Sequence, residues 1–145
     1  MNPNRLWSPS FINYGVSSGI FYMTQYVLVA ALPIILTSDL GGTALDAGLA
    51  MTYFQIGTIV CRPFAGRLID GLDKRVILLL SSILFFIIMG LFNLTTSLET
   101  IFVLRGLHGA IFALATTVMA ALAVVVLPAA RKGEGINMFA VFSNI

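Results

Sequence analysis

The chain is predicted to be an all-α membrane protein: a bundle of four transmembrane spans and the start of a fifth. Three observations predict this. Hydrophobic residues make up 59% of the 145 and charged residues only 10%, against about 25% charged in soluble domains, which must meet water with polar surface. The apolar residues form runs long enough to cross a bilayer core, which takes roughly 20 residues at 1.5 Å each. Finally, the basic residues fall in alternate connections between those runs.

The first apolar run covers about residues 11–36, broken only by mildly polar positions such as Ser17, Ser18 and Gln25. Arg5 would give a signal peptide its basic flank. The run is too long for the usual ~7–15-residue apolar region, however, and no small-x-small site closes it. It reads as a retained helix, which Pro33 is expected to bend or end. Residues 37–46, with Gly41-Gly42 and two aspartates, form a short turn. The second span covers about 47–66, a charged segment occupies 66–75, and the third span covers 76–94. A turn at 95–99 leads to the fourth span, about 101–127, and residues 128–134 form the next loop.

A further apolar run starts at 135 and continues to 145. Its length as helix is about 16 Å, roughly half a bilayer core. A chain end at membrane depth would leave backbone groups without partners. The expectation is therefore a span that continues, and a chain that is the N-terminal part of a longer protein.

Lysine and arginine set the orientation. Six of the eight, Arg5, Arg67, Lys74, Arg75, Arg131 and Lys132, fall on one side, while the opposite turns carry Asp39, Asp46 and Glu99. Positive residues stay inside, so the N-terminus is expected in the cytoplasm of a multi-pass cell-membrane protein. The same pattern explains the net charge of +2 as topology, with the lipid bilayer as partner and no nucleic acid. Cys61 is the only cysteine, which excludes an internal disulfide and multi-cysteine metal sites. The single histidine, His108, has no paired cysteine or nearby carboxylate. No catalytic or phosphate-binding pattern is present, so neither enzyme activity nor a cofactor or metal is expected.

Candidate functional residues fall in three places. The segment 66–75 concentrates Arg67, Asp70, Asp73, Lys74 and Arg75. A carboxylate such as Asp70 at the membrane face could bind a helix N-terminus, where free amides and the macrodipole favour negative charge. Lys74 and Arg75 could pair with acids elsewhere; the plainer alternative is a solvated turn carrying topogenic charge. In the fourth span, Arg105 sits within an apolar run at an insertion cost of about 2.5–3.5 kcal/mol. His108 and Gly109 share its helix face, continued by Phe112 and Thr116. An arginine beside an imidazole could couple proton binding to movement.

Arg105 could instead snorkel to the surface, since residues 109–127 alone could span. The apolar residues before it and the charge asymmetry favour an inward side chain. His108 could equally be an ordinary buried hydrogen-bonding histidine. Arg62 is expected to snorkel. In the first span, Tyr22 and Gln25 are candidate cavity-lining groups, with packing between helices as the alternative.

Two of these patterns resemble a known family. Gly66-x-Leu68-x-Asp70, followed by Lys74-Arg75, is similar to the loop between the second and third helices of major facilitator superfamily transporters, roughly Gly-x-Leu-x-Asp-Arg-x-Gly-Arg-Arg. Gly71 replaces its basic residue and Asp73 its second glycine. Arg105-Gly106-Leu107-His108-Gly109 resembles the Arg-x-x-Gln-Gly pattern of helix four, with His108 in place of glutamine. Arg62-Pro63-Phe64-Ala65-Gly66 and Arg131-Lys132-Gly133-Glu134 look like drug and sugar efflux members.

The resemblance implies that residues 1–145 are part of the N-terminal six-helix half of a twelve-helix fold. It implies secondary, proton-coupled transport of a small molecule, efflux or antiport, by alternating access. Gly66, Asp70, Lys74 and Arg75 would form a cytoplasmic latch, and Arg105, His108 and Gly109 a cavity and coupling group; protons and the remaining helices would be partners. One departure stands out. Ala31-Leu32-Pro33 is present, but Thr24 and Gln25 occupy the region where many drug/proton antiporters carry an acid. Coupling would then use His108 or residues outside the chain. The alternatives are a standalone or truncated membrane protein without transport activity, and a dimeric four-helix multidrug transporter. The latter needs an acid within the first span, and no apolar run here has one.

Overall fold

A computed structural model describes residues 6–143; Arg5 and the last two residues of the fifth apolar run lie outside them. Ser8 opens the first helix, α1 (Pro9–Ser38), its hydroxyl accepting from the Phe11 amide at 3.2 Å. Pro9 takes the first helical position, where a missing N–H costs nothing. Pro33 does not end this helix, which runs five residues past it. The chain then turns at Gly41, whose φ of 64° lies in the region where a Cβ would clash. Thr43 and Asp46 form a reciprocal capping box at the start of α2 (Ala44–Gly71), satisfying two amides that the helix leaves free.

The charged segment is not the loop the sequence suggests. Residues 66–71 are the last turns of α2, and Lys74 and Arg75 already belong to α3 (Lys74–Phe92). Only Leu72 and Asp73 connect the two helices. Hydropathy marks where the chain leaves lipid, whereas a helix of ordinary polar residues continues into water wherever its amides stay paired. A similar shift applies to α4 (Leu98–Val125) and α5 (Lys132–Ser143), the latter starting within the predicted loop after a single 3-10 turn at Ala129–Arg131. Arg131 Nε donates to Glu134 Oε2 at 2.8 Å, tying that turn to the first turn of α5.

Helices α1 to α4 are each long and apolar enough to cross a membrane. They run up and down, so that Arg67, Lys74, Arg75, Arg131 and Lys132 share a basic end, and Asp39, Asp46 and Glu99 an acidic one. Large apolar side chains point outward, Phe86 being 80% and Ile59 68% exposed. Lipid tails are as apolar as leucine, so such residues gain little by turning inward.

The bundle is organised around α4, which packs against α1, α2, α3 and α5, while α2 and α3 barely touch despite their short connection. The closest seam joins α2 to α4, which run parallel. A Cβ at Gly57 would overlap the Gly106 carbonyl, and one at Gly109 would overlap the Phe54 carbonyl. Glycine at these positions lets the two backbones meet, the usual means of tight packing in lipid. Thr58 crosses the seam, its hydroxyl lying 3.0 Å from the Phe54 carbonyl and 3.2 Å from that of Gly109. At the basic end, α5 lays Phe142 against Gly15 of α1, and Phe139 packs with Leu6, Phe11, Ala123 and Leu127.

Candidate functional site

Arg105 occupies the eighth position of α4, about 10 Å from its acidic end at 1.5 Å per residue. Helical spacing puts Arg105, His108, Gly109, Phe112 and Thr116 on one stripe, and all five are buried. That stripe meets α2 on one flank and α1 and α3 on the others. The arginine does not snorkel: its exposure is 0%, and the guanidinium turns into the junction of α1, α2 and α4. Nε donates to the Ala50 carbonyl at 3.4 Å, and Nη1 to Gln25 Oε1 at 3.3 Å. Nη2 lies 3.3 Å from Met51 Sδ, and the guanidinium carbon sits 4.6 Å from the centre of the Phe54 ring.

No carboxylate among the described residues pairs with it. The cation is held by two carbonyl dipoles, a thioether and an aromatic face.

Nη1 also lies 3.2 Å from His108 Nδ1. Arginine can only donate, so Nδ1 must be the acceptor and Nε2 carries the proton. His108 is therefore a neutral imidazole of fixed tautomer. Its Nε2 is the one buried side-chain polar atom without a hydrogen-bond partner among the described residues. Phenylalanines surround it: ring centroids of Phe85, Phe54 and Phe92 lie 5.0, 5.1 and 6.1 Å from that of the imidazole. An N–H facing aromatic rings has only a weak acceptor.

Gln25 and Tyr22, one helical turn apart on α1, part company. Gln25 is buried and its carbonyl oxygen is taken by Arg105. Tyr22 packs edge-on against Phe112, with centroids 5.0 Å apart, and lines a cavity of about 330 Å³. Ser18 of α1, Arg62 of α2, Thr116 and Thr117 of α4 and Ser143 of α5 share that cavity. A larger space of about 930 Å³ lies between α1 and α3, walled by apolar side chains such as Met23, Val27 and Leu32, with Asp39 and Asn93 among its few polar groups. The smaller cavity is the one with convergent polar groups. Sequence reading missed its composition, because Arg62, Thr117 and Ser143 meet only through tertiary packing.

At the basic end, Gly66 and Asp70 are exposed on the last turns of α2, and a Cβ at Gly66 would meet nothing. Asp70 makes no hydrogen bond or ion pair among the described residues. Among the described residues, Asp73 caps α3 by accepting from the Arg75 amide at 2.7 Å. Lys74 Nζ donates to the Ile69 carbonyl at 3.1 Å, placing a cation on the free carbonyls that end α2.

A bundle of lipid-facing helices around a buried cation and a polar cavity has the build of a membrane transporter. A family model of the Major Facilitator Superfamily matches residues 14–145, and the chain belongs to that superfamily. Among curated relatives, the staphylopine export protein of Staphylococcus aureus (strain Mu50) is 27% identical over 139 residues, covering 93% of this chain and 34% of that protein. An MFS-type transporter of Pseudomonas aeruginosa (strain LESB58) is 42% identical over 60 residues, covering 41% of this chain and 15% of the relative. The chain thus spans about a third of the length of the longer match. It is a multi-pass membrane protein of a family whose members transport small molecules.

Proposed function

We propose that this chain forms part of the N-terminal half of a secondary transporter that exports a small molecule by alternating access, in exchange for protons. The observation that carries the proposal is the buried Arg105, a guanidinium joined to three helices without a carboxylate. A charge so costly in lipid is retained where it does work. The export named for the S. aureus relative supports the direction, and the charge asymmetry of the ends supports a cytoplasmic N-terminus. On this reading Gly66, Asp70, Lys74 and Arg75 form the cytoplasmic latch, with Asp70 free to engage a helix N-terminus from the other half.

Arg105 and His108 supply the coupling. Neutral His108 accepts from Arg105; a proton on Nδ1 would abolish that acceptor and leave two cations 3.2 Å apart. Protonation therefore drives the two side chains apart and breaks the bond between the guanidinium and His108. Among the described residues, the groups facing the pair are Gln25 from α1, Met51 and Phe54 from α2, and Phe85 and Phe92 from α3; none of them titrates. The titratable Tyr22 packs on Phe112. Gly109, by letting α2 approach, is the contact that keeps the pair in place.

The test uses everted vesicles carrying the intact transporter, energised and challenged with a panel of small molecules while a dye reports the pH gradient. Wild type should dissipate the gradient with at least one compound class. Arg105→Ala should abolish this, whereas His108→Gln, which keeps a neutral acceptor, should bind substrate but lose proton exchange. A wild-type protein that inserts and gives no response to any compound would overturn proton exchange. Full exchange in His108→Gln would remove His108 from it.

A further inference from the structure

The polar cavity between α1, α2, α4 and α5 is built to receive an anion. Its hydroxyls have largely spent their protons: Thr116 donates to the Phe112 carbonyl at 2.8 Å and Thr117 to that of Ala113 at 2.6 Å. Ser18 and Ser143 lie 3.3 Å apart and share a bond. Two groups keep unused donors. The Tyr22 hydroxyl and the Arg62 guanidinium make no hydrogen bond or ion pair among the described residues, yet both line the cavity. Among the described residues the wall holds no aspartate or glutamate to pair with Arg62.

Arg62 is an exposed residue of α2 that also lines the cavity. Arg62 lies nine residues before the end of α2, about 14 Å along the helix. With α2, about 42 Å long, centred on a hydrocarbon core of about 30 Å, that places its Cα about 7 Å below the membrane face. From that depth the guanidinium reaches the cavity as well as the membrane face.

We infer that Arg62 and Tyr22 form a subsite for a carboxylate group of the transported molecule, a proposal that rests on the transporter reading above. The guanidinium fork matches the two carboxylate oxygens, and the phenol adds a third donor. A volume of about 330 Å³ falls at the small end of ligand sites, enough for a carboxylate and the few atoms bearing it. The substrate class is thus an organic acid or zwitterion rather than a lipophilic cation.

The test compares two probes of the same shape, para-fluorobenzoate and its neutral amide, by fluorine NMR on the intact transporter in nanodiscs of zwitterionic phosphatidylcholine. The acid should bind and the amide should bind at least roughly tenfold more weakly, the worth of one charge-assisted pair. Arg62→Gln should erase the preference and Tyr22→Phe should reduce it, with circular dichroism confirming the fold. Lys132→Gln, at the exposed basic end, should leave it unchanged. Equal binding of acid and amide overturns the subsite, as does an undiminished preference in Arg62→Gln. Displacement of the acid by added phosphatidylglycerol would assign the site to lipid headgroups and overturn it as a substrate site. Binding here is read without transport, so a silent vesicle assay and a failed subsite remain separate results.

Discussion

Replacing Gly109 with alanine tests the link between the helix seam and the buried arginine. The added Cβ would overlap the Phe54 carbonyl, and the obstacle is backbone, which cannot rotate away. Helix α2 must move outward, at an overpacking cost of about 1–3 kcal/mol. The Thr58 bond to the Gly109 carbonyl would be lost, worth about 0.6 kcal/mol in membrane bundles. Alanine's better helix propensity returns about 0.5–1 kcal/mol. The net expectation is a loss of about 1–3 kcal/mol, read by titrating the protein in mixed micelles with SDS and following helix content.

Gly48→Ala, in the interior of α2 and facing open space, is the control and should stabilise by about 0.5–1 kcal/mol. The functional consequence is separate. Phe54 covers the Arg105 guanidinium at 4.6 Å, so a shifted α2 takes away one wall of its site, and transport should fall even where the folded fraction is restored by lower temperature. Equal stability of Gly109→Ala and Gly48→Ala would refute the reasoning.

Three further outcomes are expected. Asp70→Asn should impair transport in the intact transporter without affecting insertion, since Asp70 makes no hydrogen bond or ion pair among the described residues; Asp73→Asn, by contrast, should loosen the first turn of α3, seen as faster amide exchange at Arg75, and wild-type flux in Asp70→Asn would end the latch assignment. A hydrogen bond from Arg131 holds the Glu134 carboxyl below its ordinary value of 4.5, so its stabilising effect is complete above that value and fades as pH falls through the lower folded one; exchange at the start of α5 should rise in that acidic window at low salt, and much less at high salt, because the pair is exposed and readily screened.

What could be read from the sequence follows from the bilayer. Its thickness sets a minimum run length, so the four spans and their alternation stand out. The inward turn of Arg105 was legible too, since four apolar residues precede it and an outward charge would break the asymmetry of the ends. Its partners were not: Gln25 and Ala50 are 80 and 55 residues away, and only the packing of three helices brings them together. Asp70 and Asp73 show the limit at short range. Composition identifies a carboxylate near a helix start, but which one caps depends on where α2 stops, and hydropathy sees the edge of the lipid rather than the end of the helix. The polar cavity escaped for a similar reason, its groups being spread over four helices with no shared period.

The central position of α4 has a consequence for how the protein is made. Helices α1, α2 and α3 emerge first, yet α2 and α3, joined by two residues, scarcely touch, and most tertiary packing awaits α4. Without that helix, the first three share little beyond the contact of α1 with α2, each stable by its own backbone bonds. Helix α4 supplies the packing that joins them, and Arg105, expensive to insert alone, travels on the one helix whose neighbours carry the carbonyl and aromatic groups that receive it.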